Sequence, residues 1–340
     1  MSRAGRIKLG KKRVRNILLA QTVACDRTLE QKISDAGPNP QRVEPSVLTE
    51  ARNALLKEGA ILVERRGKAP WYYLKEADKQ RVEARMAELV PLHHETQAGM
   101  FTHRLGQTLE IAVQKAIQRS GVSFLGYFSD LAQHNDGTAY TKVDPPIDIN
   151  GKRMEKGPLD FVVFPGGECA GIEVKNYRTW LYPRSKEVRE MLWKCGDVGA
   201  VAVLIARRLP FVTIRLLQMG GCLVHENYNQ LYPEADELLA AKVREKNLLG
   251  YHDVRVGNEP DHRMLRFFGE LLPTLVKDVR PTFLKFGDLH RAYGKGEIRY
   301  EAWLKELRSH GRGWTKTVRE EARAEGKSSK EKKVKRTRRS

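Results

Sequence analysis

The sequence predicts an α/β protein: a mixed sheet flanked by helices, preceded by a small helical module with a basic hairpin and followed by a helical C-terminal region. Three observations predict it. Between residues 97 and 232, helical periodicity alternates with short β-type runs, the order that builds a sheet with helical cover. Residues 200–206 (Ala-Val-Ala-Val-Leu-Ile-Ala) form a continuous apolar run suited to a buried strand. Ahead of residue 95, helical stretches end in two β-type runs joined by Arg65-Arg66-Gly67-Lys68.

At 340 residues the chain is long enough for two or three domains. The expected partition is 1–95, a basic arm plus helical module; 96–232, the sheet domain; 233–326, a helical region; and 327–340, a disordered basic tail. Hydrophobic residues make up 41% of the chain, enough for a sizeable core. No apolar run approaches the ~18 residues that a membrane span needs, and no apolar stretch follows the basic N-terminus. A soluble, intracellular, cytoplasmic or nucleoid-associated protein is expected. Cys25, Cys169, Cys195 and Cys222 are scattered without a Cys-x-x-Cys pair, so buried thiols are expected rather than a zinc site.

The formal charge is +19 and its distribution is uneven. Residues 1–15 hold seven Lys/Arg and no acid, and residues 327–340 hold eight Lys/Arg and one acid, Glu331. Two mobile basic arms of this kind suit a polyanion, held through counterion release. The expected partner is DNA, double-stranded rather than single-stranded.

In the first module, helical stretches are expected at 14–24 and 28–34, and a stronger helix at 46–57 with Leu48, Ala51 and Leu55 on one face. Gly59 ends that helix. The hairpin then runs through 61–63 and 71–74. Arg52 and Lys57 fall away from the apolar face, and Arg65, Arg66 and Lys68 form the hairpin tip. These five are the DNA-contact candidates of the module. In the second domain, a helix at 103–119 carries Leu105, Leu109, Ala112, Val113, Ala116 and Ile117. Strands are expected at 159–164 and 168–175, a helix at 185–195, a strand at 200–206, a helix at 211–219 and a strand at 221–225. Beyond 233, Leu265, Phe268, Leu272, Leu275 and Val276 make a helical stripe.

The stretch from Pro158 to Lys175 carries the chemistry. With Gly166-Gly167 as a two-residue hairpin turn, Asp160 stands opposite Glu173 and Val162 opposite Gly171. Opposed residues share a face and alternate residues swap faces. Asp160, Glu173 and Lys175 then project from one side, and Phe161, Val163, Ala170, Ile172 and Val174 from the other. Two opposed carboxylates repel, and a divalent cation relieves that conflict. An ammonium at i+2 supplies charge for an attacking water or a developing phosphorane.

This arrangement resembles the PD-(D/E)xK nuclease superfamily over residues 97–232, and the first 75 or so residues resemble a winged helix-turn-helix. The resemblance implies a restriction-endonuclease-like fold and a Mg²⁺-dependent endodeoxyribonuclease, with Mn²⁺ as a substitute. Asp160, Glu173 and Lys175 match the family's motif, although Leu159 separates Pro158 from the first acid. Asp148 is a rival first acid that lacks the register with Glu173. The resemblance also implies metal ligation by the main-chain carbonyl of Val174. It makes Glu110, on the preceding helix, a further catalytic or metal-binding acid, though by spacing alone it could equally face water. Arg178, Lys186, Arg189 and Lys194 are placed to contact phosphate, although surface solvation is the simpler reading of each taken alone. His134 and His225 are not assigned. Paired cuts would require a homodimer or two binding events. The competing readings are a DNA-binding regulator with an inactive nuclease fold and an RNA endonuclease. A kinase or NTPase is disfavoured, because no G-x-x-x-x-G-K-[ST] sequence occurs.

Overall fold

The computed structural model of the chain describes residues 1–35, 43–132, 137–149 and 151–310, the side chain of His310 aside. The basic tail at 327–340 and His134 lie outside the described residues. The N-terminal module runs α1 (Arg3–Gln21), β1 (Val23–Cys25), α2 (Asp26–Ile33), α3 (Pro45–Lys57), β2 (Ile61–Arg66) and β3 (Ala69–Leu74). Its three strands pair antiparallel in the order β1-β3-β2. Pro45 opens α3, where its missing N–H costs nothing. Gly67 turns the hairpin tip at φ 62°.

The N-terminal arm expected to be mobile is instead helix α1. Ser2 caps it, its hydroxyl accepting from the Gly5 N–H at 3.2 Å. Gly10, Val14 and Leu18, spaced four apart, form its buried stripe. Gly10 permits close approach to α3, since a Cβ there would stand 2.9 Å from the Ala51 Cβ. Several of its basic residues pair with acids: Arg3 with Glu50, Lys11 with Glu58 and Arg15 with Glu76. The helix expected at 14–24 therefore starts earlier and stops at Gln21, and Val23–Cys25 joins the sheet.

Helices α4 (Lys79–Glu95) and α5 (Gly99–Ser120) lead into the second body. There follow β4 (Phe124–Leu125), β5 (Tyr127–Phe128), β6 (Lys142–Val143), β7 (Asp148–Ile149), β8 (Lys152–Arg153) and β9 (Phe161–Val163). After these come β10 (Ala170–Lys175), α6 (Lys186–Val198), β11 (Val201–Ala206), α7 (Phe211–Met219), β12 (Leu223–Glu226) and β13 (Gln230–Tyr232). Five strands form a mixed sheet in the order β12-β11-β10-β9-β4. β10, β11 and β12 are parallel, while β9 and β4 run antiparallel to their neighbours. Every residue of β11 is buried, as its unbroken apolar run requires.

The C-terminal segment adds α8 (Glu237–Arg244), β14 (Val254–Val256), α9 (His262–Arg266), a π-helical turn (Phe267–Leu271), α10 (Leu272–Lys285), α11 (Gly287–Lys295) and α12 (Tyr300–His310). It is built into the sheet body. β14 pairs with β13, and Phe268, Leu272, Val276, Val279, Phe283 and Trp303 share one core with the sheet and with Leu109, Ile111 and Val113 of α5. Packing crosses the 95/96 boundary as well. Val23 and Trp71 of the module share a second core with Leu105, Tyr232 and Val254. All four cysteines are free and buried. Among the described residues, no helix is long and apolar enough to cross a membrane.

A buried charge network reinforces this joint. The Arg207 guanidinium, 2% exposed, lies 3.0 Å from Asp35 at the end of α2 and 2.6 Å from Asp253 ahead of β14. Arg178 completes it, 2.8 Å from Asp253 and stacked 3.9 Å over the Tyr251 ring. Removing one member of a buried pair strands its partner's charge. Arg207→Ala should therefore cost about 3–5 kcal/mol, measured as a lowered urea midpoint. A loss below ~1 kcal/mol would mean that the network is solvated.

Candidate active site

The pairing of β9 with β10 sets the site. Val163, Val162 and Phe161 oppose Ala170, Gly171 and Ile172. One step beyond, the Asp160 N–H donates to the Ile172 carbonyl at 3.1 Å, which leaves Asp160 beside Glu173. This is the register expected from the sequence, but the connection differs. Pairing stops at Val163 and Ala170, and a 3-10 turn over Pro165–Gly167 occupies the loop instead of a two-residue turn. Gly166 and Gly167 adopt φ 60° and 83°, which a glycine pair permits at little cost.

Six side chains alternate in sign across the site. The Lys142 ammonium lies 2.6 Å from Glu110 Oε2 and 3.1 Å from Asp160 Oδ1. The Lys175 ammonium lies 3.2 Å from Asp160 Oδ2 and 2.7 Å from Glu173 Oε2. The Lys194 ammonium lies 2.6 Å from Glu173 Oε1. The order is thus Glu110, Lys142, Asp160, Lys175, Glu173, Lys194. The Val174 N–H also donates to Asp160 Oδ2 at 2.7 Å.

Local structure explains each placement. Gly171 lets α6 approach β10, because a Cβ there would stand 2.8 Å from Cys195 Sγ and 2.5 Å from Leu159 Cδ1. That approach brings Lys194 to Glu173. Gly126, at φ 87°, allows another: a Cβ there would lie 2.9 Å from the Asp160 carbonyl and 2.8 Å from Pro145 Cδ. β5 and β6 pair Phe128 with Lys142, which carries Lys142 to the site. Glu110 sits at the midpoint of α5, whose neighbours Leu109 and Ile111 are buried.

Burial raises the Glu110 carboxyl to about 7, aided by the Asp160 charge and opposed by Lys142. Burial would also raise Asp160, but Lys175, Lys142 and the Val174 N–H outweigh it and bring the group down to about 2. Glu173 is raised by burial and by Asp160, against Lys175 and Lys194. Burial would lower Lys175, but Asp160 and Glu173 hold it well above its ordinary value. Asp160 thus anchors the array as a carboxylate, Lys175 as an ammonium, and Glu110 titrates near neutrality.

Carboxylate oxygens are the donors that a hard divalent cation takes. Among the described residues, however, no three His, Cys, Asp or Glu side chains are grouped to hold a metal ion. Lys142 and Lys175 stand between the acids, each bridging two carboxylates as a cation would. The carboxylate oxygens are donors that fit a divalent ion, while the charge and spacing are those of an ammonium-filled site.

The other expected site residues divide. Lys57, Arg65 and Lys68 are exposed, and Arg65 and Lys68 make no ion pair among the described residues. Lys186 is 78% exposed. Arg52, expected on the outer face of α3, turns inward to Asp26 and lies over the Tyr72 ring. Arg66 pairs with Glu64 and Glu83. Arg178 is spent in the buried network, and Arg189 donates to the carbonyls of Tyr293 and Gly294. Asp148 is exposed and paired with Arg153, away from the array. His225 packs against the Phe267 ring at a tilt of 32° and is held neutral, its pKa lowered by burial to about 4. Lys142 escaped sequence reading because it lies in a polar segment without periodicity. Lys194, expected at phosphate, pairs with Glu173.

A cleft of about 700 Å³ opens between module and sheet body; none of the six array side chains lines it. Arg65 and Lys68 line it, as do residues 176–181, which follow Lys175. No family model, no curated protein and no solved structure matches the chain.

Glu110 predicts a pH dependence. Its folded pKa of about 7 lies above an ordinary glutamate's, so its contribution to stability is complete below ~4.3 and is lost as pH rises through 7. With a chelator present, Glu110→Gln should flatten the fall in urea midpoint between pH 5 and 8. Parallel wild-type and variant slopes would contradict the assignment.

Proposed function

We propose that the chain is a metal-dependent DNA endonuclease that hydrolyses phosphodiester bonds with an activated water. The observation that carries this reading is the convergence of Asp160, Glu173 and Lys175, with the Lys175 ammonium 3.2 and 2.7 Å from the two carboxylates. Mg²⁺, or Mn²⁺ in its place, supplies Lewis-acid polarisation of a phosphoryl oxygen and a water of lowered pKa when bound. Asp160, Glu173 and Glu110 would hold it through oxygens, with the Val174 carbonyl as the main-chain donor that the family resemblance implies. Lys175, fixed as a cation, stabilises negative charge developing on the phosphate.

The module supports a nucleic-acid partner. Its helix, strand, two helices and antiparallel hairpin, with sheet order β1-β3-β2, follow the arrangement of a winged helix-turn-helix. In that reading α3 enters a groove with Asn53 and Lys57 outward. The hairpin tip and the segment after Lys175 line the same cleft. Arg65 and Lys68 then contact phosphate next to the site of hydrolysis. Paired cuts in a duplex would take two copies of the chain.

One observation favours a second reading, a DNA-binding protein with a silent site. Each acid of the array is already matched by an ammonium, as in a closed structural ion-pair cluster. Plasmid nicking in Mg²⁺ separates the two. Lys175→Met should lower cutting by at least ~100-fold with duplex affinity nearly unchanged. Cutting at the wild-type rate would remove Lys175 from the chemistry. Arg65→Ala/Lys68→Ala should weaken duplex binding uniformly across sequences and reduce the log-affinity salt slope by ~2. An unchanged slope would place phosphate elsewhere.

A further inference from the structure

We infer that Lys142 is a tethered counter-ion: its ammonium holds the cation position between Glu110 and Asp160 and exchanges with a divalent metal ion. The inference rests on the metal-dependent reading of the array, and extends it to a residue that no motif marks. Lys142 bridges the two acids at 2.6 and 3.1 Å. The three side chains are 15–18% exposed, so two carboxylates face each other largely out of water. Without a cation between them their repulsion is poorly screened.

Size decides between coexistence and exchange. A Mg²⁺ ion draws its oxygen ligands to ~2.1 Å. To share such an ion, Glu110 and Asp160 must each close in from their present ammonium distances. That leaves no space for the Lys142 head between them. Charge favours the same outcome. With all six groups ionised the array of three acids and three lysines sums to zero, and a divalent ion added without displacement would carry it to +2.

Lys142 is also the lysine best placed to leave. Lys175 stands on β10, in the middle of the five-stranded sheet. Lys194 stands on α6, which is packed against β10, β11 and α11. Lys142 comes from β6, a two-residue strand in a separate two-stranded sheet. Its ammonium lies 5.9 Å from the Phe128 ring centroid and 5.5 Å from that of Phe161. Those ring faces already border the bridging position and add cation–π attraction to the hold there.

The test uses the full chain without nucleic acid. Lys142→Met keeps the stem and removes the charge. Its Mg²⁺ and Mn²⁺ affinity, by calorimetric titration, should rise about tenfold over wild type, about 1.4 kcal/mol. Its melting temperature should fall in chelator and recover with Mn²⁺. Glu110→Gln/Lys142→Met, which removes one of the facing carboxylates, should restore stability in chelator. An affinity for metal that is unchanged or weaker in Lys142→Met overturns the inference. Should that variant not fold in chelator, the double variant is compared with Glu110→Gln alone. Tighter binding in the double variant supports the exchange, and equal binding overturns it. Tightening without DNA cleavage would keep this inference and sink the nuclease reading. Cleavage without tightening would do the reverse.

Discussion

The alternation of three carboxylates with three ammonium groups is the constraint on which the sheet body depends. Glu173 is buried and Glu110 and Asp160 are partly buried, each acid lies near another acid, and a lysine intervenes in every case. The six groups come from α5, β6, the residue ahead of β9, β10 and α6. No two neighbouring elements hold the array alone. The β9/β10 register, the close approach at Gly171 and the tight passage at Gly126 all serve to bring these elements together. Behind them Phe161, Val163, Ile172 and Val174 are buried in the apolar core, which holds the charged side still.

Burial also divides labour within the array. Asp160 receives two ammonium groups and a main-chain N–H, so it stays ionised far below neutrality. Glu110 receives one ammonium and feels the Asp160 charge, so it titrates near 7. Glu173 receives two ammonium groups and is still raised by burial and by Asp160, so the direction is set by how far donors offset burial and neighbouring charge, not by their number. Pairs of acids pushed apart in this way are a mark of acid–base sites, and of some structural clusters.

Much of the fold was legible where periodicity was strong. The buried run became β11, and the helix expected at 211–219 matches α7 residue for residue. The Asp160, Glu173 and Lys175 grouping followed from alternation of two and an apolar rear face, and survived a wrong turn type because the register did not change. Helix α1 was hidden because its buried stripe is only Gly10, Val14 and Leu18 among basic residues. Arg52, Arg178 and Arg189 read as surface charge because arginine usually is. Their partners Asp26, Asp253 and the carbonyls near Tyr293 lie 26, 75 and about 105 residues away, beyond any local pattern. Lys142 reaches Asp160 only through a short two-stranded pairing that no sequence period announces.

The joint between module and sheet body carries a consequence for any long ligand. Arg207, Asp35, Asp253 and the core shared by Trp71 and Leu105 weld the two parts, where many modular proteins have a tether. The gap between α3 and the acid–lysine array is therefore a fixed gauge. If the proposed duplex partner is gripped at both ends, it must supply the matching curvature itself, and stiff or bendable steps would be sorted by their elastic cost before any base edge is read.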